Sequence, residues 1–353
     1  MTNTFLHSGL FGNLFKDQAI ATEFGADAFV ARMCEFEMAW TRALESAGLI
    51  APADAQAAVE AISGLSHRDF SAASDRDGLP VPSLVAVLRD GKTDQVAQAI
   101  HTGATSQDVI DTAMVLTCLD VLHNLDERLA SLIARLEGLL EASGDVPLMA
   151  RTRMQAAIPA TVGLRVSSWI RPLAEHHART QALKQDLAHV QVGGAIGKRD
   201  KPIGHSEIVA EHVAKALGLS LGPVWHTDRS SLVGFGHWLT LLAGSLGKIG
   251  HDIALMAQQG LDEINLDGGG SSSAMPHKQN PVLAEAIVAL SRFVAHQQGL
   301  LGQAMIHEQE RSGSAWALEW MTLPAMAEAT GASLRHTDCL IASIKRIGKS
   351  GKA

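Results

Sequence analysis

Ser271-Ser272-Ser273-Ala274-Met275-Pro276-His277-Lys278-Gln279-Asn280-Pro281, preceded by Gly268-Gly269-Gly270, gathers the groups that an anionic substrate needs. Three glycines and three serines hold no single backbone conformation by themselves, so residues 268–281 read as a mobile loop. Pro276 and Pro281 stiffen the second half of this stretch. The apolar run from Val282 reads as a helix with Pro281 near its first turn. Hydroxyls, a lysine, an asparagine and the positive end of a helix dipole thus come together. A Gly/Ser run alone suits a solvated linker equally well. The Met-Pro-His-Lys-Gln-Asn-Pro order is what argues for chemistry.

Two further segments carry similar potential. In His101-Thr102-Gly103-Ala104-Thr105-Ser106-Gln107-Asp108, the hydroxyls of Thr105 and Ser106 precede a long apolar-periodic run. They can cap that helix or, with its exposed amides, bind a carboxylate. Arg151-Thr152-Arg153-Met154-Gln155-Ala156-Ala157-Ile158-Pro159-Ala160-Thr161 concentrates two arginines in a chain whose net charge is −8. That balance argues against nucleic acid or an anionic membrane as partner, and an acidic protein that binds an anion must focus its few cations locally.

The elements that must position these groups are almost all helical. Leu, Ala, Glu and Gln abound, tyrosine is absent, and apolar/polar alternation is hard to find. Shorter helices fill the first hundred residues, one from about Asp27 to Ala47 and another starting at Pro52. Ser74 to Pro82 reads as a loop. Val115, Cys118, Leu122, Leu125, Leu129, Leu132, Leu136 and Leu139 step by three and four. So do Leu232, Phe235, Leu239, Leu242, Leu246, Ile249, Ile253 and Met256. Each is a heptad seam on a long helix. Residues 159–192 offer a third long helix, bent at Pro172. A fourth runs from Val282 to about Met305, and a fifth follows Leu323-Pro324. The fold expected is all-α: an N-terminal helical domain (1–100), a central long-helix bundle (101–345) and a short basic tail (346–353).

With 353 residues and 46% hydrophobic content, a large core is available. Cys34, Cys118 and Cys339 are widely and irregularly spaced, which suits reduced thiols rather than disulfides or zinc. No His-x-x-x-His pair has a carboxylate partner, and no cofactor or metal is expected. The first ten residues lack a secretory pattern, and no apolar stretch reaches membrane-spanning length, so a cytoplasmic protein is expected.

The motif order resembles that of the fumarase/aspartase superfamily, whose loop usually reads Gly-Ser-Ser-x-Met-Pro-x-Lys-x-Asn-Pro. One departure is that the family's glycine falls on Ser271. The resemblance implies that Ser272 is the catalytic serine and that Lys278 and Asn280 meet the substrate, with Lys278 also a credible proton donor. His101–Asp108 resembles the family's first signature, where Thr105 and Ser106 would grip a carboxylate and Asp108 would fix the loop. Arg151–Thr161 resembles the second, often Thr-His-x-Gln-x-x-x-Pro-x-Thr. Thr152 and Gln155 match, but Arg153 stands where the family has histidine. An arginine cannot give up a proton near neutral pH. Either another group, such as His101, supplies the proton, or the leaving group needs none. A carboxylate needs none, since its conjugate acid has a pKa of about 4.

That points to the lactonising branch of the superfamily, the 3-carboxy-cis,cis-muconate cycloisomerases of bacterial protocatechuate breakdown. Val224-Trp225-His226-Thr227-Asp228-Arg229, His307-Glu308-Gln309-Glu310-Arg311-Ser312 and the Trp316, Glu319, Trp320, Leu323, Pro324 pattern resemble segments of that branch. The implied substrate is a tricarboxylate, closed to a lactone through an aci-carboxylate. Ser272 and Lys278 would be catalytic. Thr105, Ser106, Arg153, Gln155, Asn280 and Arg311 would bind substrate, with His226 and Arg229 as weaker candidates. A homotetramer is implied, with sites built from several chains. Relatives usually continue into a third small helical domain, expected here to be absent or abbreviated. Two alternatives stay open: another lyase of the superfamily, such as an adenylosuccinate lyase, whose loop is very similar, and a non-catalytic helical oligomer.

Overall fold

A computed structural model describes residues 9–65, 69–268, 270, 271, 275 and 278–348. Seven helices come first: α1 (Gly12–Phe15), α2 (Gln18–Glu23), α3 (Ala26–Ser46), α4 (Pro52–Ser63), α5 (Ser71–Asp77), α6 (Val81–Arg89) and α7 (Asp94–Ala99). The first long helix, α8 (Ser106–Ser143), leads into a hairpin of β1 (Pro147–Thr152) and β2 (Gln155–Thr161). Then come α9 (Val162–Leu187), α10 (Ser206–Ala216) and α11 (Ser230–Met256). Strands β3 (Ile264–Leu266), β4 (Gly270–Ser271) and β5 (Gln279–Asn280) precede α12 (Val282–Gln303), α13 (Ser314–Ala342) and β6 (Ile344–Ile347). Among the described residues the sheets are two-stranded: β1–β2, β3–β6 and β4–β5. No helix among the described residues is long and apolar enough to cross a membrane.

Both heptad seams are buried. From Val115 to Leu136 every seam residue of α8 lies in a core, as does every seam residue of α11 from Leu232 to Met256. Long helices with narrow apolar stripes bury them by packing side by side. The two cores do not follow chain order. One is the bundle of α8, α9, α11, α12 and α13, which also takes in Ile20 of α2. The other joins α3, α4, α6 and α7 to the first turns of α8 and to residues 190–219, including Val209, Ala210 and Val213 of α10.

Several local expectations need correction. The stretch Ser74–Pro82 is mostly helix: α5 runs to Asp77, Gly78 closes it at φ 76°, and α6 starts at Val81 with Pro82 in its first turn. A left-handed glycine after a helix and a proline opening the next make this a tight corner. The third long helix starts at Val162 rather than 159 and ends at Leu187, with Pro172 inside it. The fifth does not wait for Pro324: α13 begins at Ser314 and continues through that proline. The β1–β2 hairpin is missing from the sequence reading because β2 (Gln-Ala-Ala-Ile-Pro-Ala-Thr) shows no alternation, and its side chains are nearly all exposed.

Helix α11 lies antiparallel against α12 at glycines. A Cβ on Gly247 would meet Ser291 Cβ at 2.7 Å, and one on Gly250 would meet the Ala284 carbonyl at 2.9 Å and Ile287 at 3.1 Å. Backbone sits where a side chain would stand. Gly250→Val should therefore cost about 1–3 kcal/mol, as overpacking does. A lowered urea midpoint against wild type would register it, and an unchanged midpoint would show that α11 and α12 can separate without cost.

Candidate anion site at the start of the first long helix

Thr105 precedes α8 in extended conformation (φ −128°, ψ 158°), and Ser106 opens the helix. Asp108, fully buried, turns back to accept the Thr105 amide at 3.0 Å. The same carboxylate accepts the amides of Gly193 (2.7 Å) and Gly194 (3.2 Å). Asp108 thus pins the 193–197 loop against the helix N-terminus. Gly193 fits there because a Cβ would strike Val224 at 2.6 Å and His226 Nε2 at 2.7 Å. Gly194 takes φ 66°, a region that favours glycine.

Arg311 arrives from the segment between α12 and α13. Its Nη2 donates to Thr105 Oγ1 at 3.1 Å and to the Ala195 carbonyl at 3.3 Å, and its Nε donates to Gln107 Oε1 at 2.8 Å. All three acceptors are neutral, and no carboxylate among the described residues pairs with Arg311. Its Nη1 makes no bond to a described residue. A held, uncompensated guanidinium beside a helix N-terminus is suited chemically to one carboxylate. Thr105 and Arg311, 206 residues apart, are therefore brought together, with Ser106 next to Thr105 in the chain. Gln107, fully buried, is the residue that the sequence reading missed. Its amide nitrogen donates to Asp111 Oδ2 (3.1 Å) and the His226 carbonyl (2.9 Å) while its oxygen holds Arg311. Its position next to Ser106 was the available signal.

The expectation for Arg229 needs correction. It is no substrate contact, because all five of its N–H groups are used inside the chain. Nε and Nη2 donate to Glu319 (2.7 and 2.6 Å), Nη1 and Nη2 to Asp111 (2.7 and 2.9 Å), and Nη1 also to the His226 carbonyl (3.4 Å). The Trp225 ring lies 4.9 Å below the guanidinium, and Trp316 Nε1 donates to Asp111 at 2.9 Å. The side chains of Arg229, Asp111 and Glu319 are each at most 1% exposed. His226, 4% exposed, places Nε2 3.5 Å from Asp108 Oδ1, too long for a good hydrogen bond, and neither ring nitrogen has another partner among the described residues.

One cation with two carboxylates leaves a negative charge in the core. Burial alone would raise Asp111, but the Arg229 charge and hydrogen bonds, with those of Gln191 and Gln107, hold it below the ordinary carboxylate value. For Glu319 burial wins over Arg229, and its carboxyl is pushed up to about 7. Burial and the Arg229 charge lower His307 nearby.

The other sequence-predicted residues sit elsewhere on the chain. Asn280 pairs with Gly270, and Gln279 with Ser271, in the β4–β5 ladder; the Lys278 amide donates to the Met275 carbonyl, and its side chain is exposed. Ser272 lies outside the described residues. Arg153 and Gln155 are exposed at the tip of the β1–β2 hairpin, where Thr152 pairs with Gln155 and the two turn residues Arg153 and Met154 take φ 49° and 68°. Left-handed values at both turn positions make a type I′ geometry. The cavity of about 520 Å³ that Arg153 lines contains none of Thr105, Arg311 or Asn280. His101, also at positive φ (62°), is held by buried Glu37, Nδ1 to Oε1 2.6 Å.

A carboxyl whose folded pKa is raised favours the fold below its unfolded value and loses that contribution as pH climbs through the folded value. Glu319 therefore erodes stability between about pH 4.5, its ordinary value, and about pH 7. Glu319→Gln should flatten that slope. Thermal melts from pH 5 to 8 should show wild type losing a few degrees more than the variant, and parallel curves would place the proton elsewhere.

Known proteins share this arrangement of helices. A family model described as lyase matches residues 16–295. The 3-carboxy-cis,cis-muconate cycloisomerase of Acinetobacter baylyi is 32% identical over 343 residues, covering 94% of this chain and 76% of that protein. The enzyme of the same description from Pseudomonas putida is 34% identical over 347 residues, covering 95% and 82%. The crystal structure of the 3-carboxy-cis,cis-muconate lactonizing enzyme from Pseudomonas putida superposes with a TM-score of 0.89 at 33% identity, covering 96% of this chain and 77% of that one. The chain belongs to the lyase family, the fumarase/aspartase superfamily that its signature segments resemble, together with these 3-carboxy-cis,cis-muconate cycloisomerases.

Proposed function

We propose that this chain is a 3-carboxy-cis,cis-muconate cycloisomerase, acting in the cytoplasm as a homotetramer whose active sites draw the three signature segments from different chains. The observation that carries the reading is Arg311, fixed by Thr105 and Gln107, with no carboxylate partner among the described residues and with unused donors. Such a group costs stability unless an anion meets it. Arg153, at the tip of a hairpin in left-handed backbone, offers a second exposed guanidinium, and Lys278 and Asn280 supply a third cluster on the signature loop.

The reaction needs little more than anion receptors and one proton. A carboxylate oxygen of the substrate adds to the far carbon of the double bond conjugated with another carboxylate. A C–O bond forms, the π pair moves onto the α-carbon and its carboxylate as an aci-carboxylate, and a proton reaching the α-carbon completes the lactone. The proton comes from the signature loop, from Ser272 or Lys278. In reverse, the departing carboxylate is a stable anion, with a conjugate acid near pKa 4. No general acid is needed to expel it, which matches an arginine at position 153. Closure of the loop over the site would exclude the water that otherwise solvates the aci-carboxylate.

Loss of the diene absorbance on mixing protein with 3-carboxy-cis,cis-muconate tests the assignment directly, and an unchanged spectrum sinks it. Ser272→Ala should lower turnover by orders of magnitude with the helical circular dichroism intact. Near-normal turnover would remove Ser272 from the chemistry. Arg153→His should lower kcat/KM for the muconate at least ~10-fold, the value of one charged contact. Full activity in that variant would undo the leaving-group argument.

A further inference from the structure

The cavity beneath the hairpin tip holds more positive charge than the residues around it neutralise. Arg151, Arg153, Arg165 and Lys248 line it, with Asp252 and Glu263 as its only carboxylates among the described residues. Both carboxylates are already engaged. Glu263, 1% exposed, accepts from Arg151 at 2.8 Å. Asp252 accepts from Trp169 Nε1 at 2.7 Å and pairs with Lys248 one helical turn away. Arg153 and Arg165 are left with no hydrogen bond or ion pair from their guanidinium groups to any described residue. Two unpaired arginines thus face one space of about 520 Å³.

Each is held there by a different element. Arg153 occupies the first position of a two-residue turn at φ 49°, beside Met154 at φ 68°. Non-glycine residues enter that region at a cost, and such outliers gather at ligand sites. Arg165 is half-buried one turn into α9. The first amides of α9 do not supply the attraction, since Val162 N donates to the Val146 carbonyl and Gly163 N to that of Gly144. Any anion drawn here is drawn by the side chains.

We infer that Arg165 joins Arg153 in a carboxylate subsite, and that this pair sets a preference for a tricarboxylate over a dicarboxylate. The inference rests on the lactonising reading above. Three carboxylates call for three receptors. Arg311 with Thr105 is one and Lys278 with Asn280 is another, while Arg153 alone, on an exposed hairpin tip, would offer a single screened charge. A second guanidinium on a fixed helix makes the third receptor a two-pronged one.

The test uses Arg165→Gln and Arg165→Lys in the full chain, with helical circular dichroism as the folding control. Calorimetric titration with propane-1,2,3-tricarboxylate and with glutarate reads the subsite without requiring turnover. Wild type should bind the tricarboxylate more tightly. Arg165→Gln should weaken the tricarboxylate ~10-fold or more and glutarate by less than about twofold, and Arg165→Lys should recover part of the loss. In turnover, Arg165→Gln should raise KM more than it lowers kcat. Equal weakening of both probes, no weakening of either, or no preference in wild type would overturn the proposal. If Arg165→Gln fails the folding control, Arg165→Lys carries the same comparison. A wild type that prefers the tricarboxylate yet leaves the muconate spectrum unchanged would sink the assigned reaction and leave the subsite standing.

Discussion

Everything near the candidate site leans on Arg229. Its guanidinium ties Asp111 of α8 to Glu319 of α13 from the residue just before α11, in a region with almost no solvent exposure. Three helices from distant parts of the chain are locked at one level. A buried arginine between two carboxylates tolerates little displacement, because losing one partner would strand a charge in a low-dielectric interior. Asp111 passes that constraint outward: it orients the Gln107 amide, whose oxygen in turn holds Arg311. The half-buried Arg311 guanidinium is thus aimed by the core.

Charge is distributed with the same logic. The chain is acidic, with a net charge of −8. Yet among the described residues Arg311 is held by neutral acceptors alone, and Arg153 and Arg165 share the hairpin cavity without a carboxylate partner. Asp108 shows the converse use of charge. Its carboxylate is spent on three backbone amides, and so it shapes a loop rather than repelling a substrate.

The heptad seams predicted α8 and α11 because burial of a narrow stripe imposes its period on the sequence. Motif order set Thr105 and Ser106 on one carboxylate and Arg311, with Asn280 and Arg153, on the others, whereas within the chain Arg311 lies against Thr105 itself. The β1–β2 hairpin was not legible. Its exposed strands carry no alternating core signal, and its turn uses Arg-Met where Asn-Gly is usual. Pro324 misled for a related reason: a proline is a weak boundary when a helix is fixed by its neighbours on several sides.

Arg229 marks the limit most clearly. In sequence it sits beside Trp225 and His226 and looks like any cation in a substrate-binding motif. Only the fold brings Asp111 and Glu319 within hydrogen-bond distance and uses up every donor. The chain alone determined which residues could bind an anion and which helices would carry them, because side-chain type and apolar period are local properties. Whether a given cation is spent in the core or left for a ligand was decided by the tertiary structure, because that depends on carboxylates about a hundred residues away.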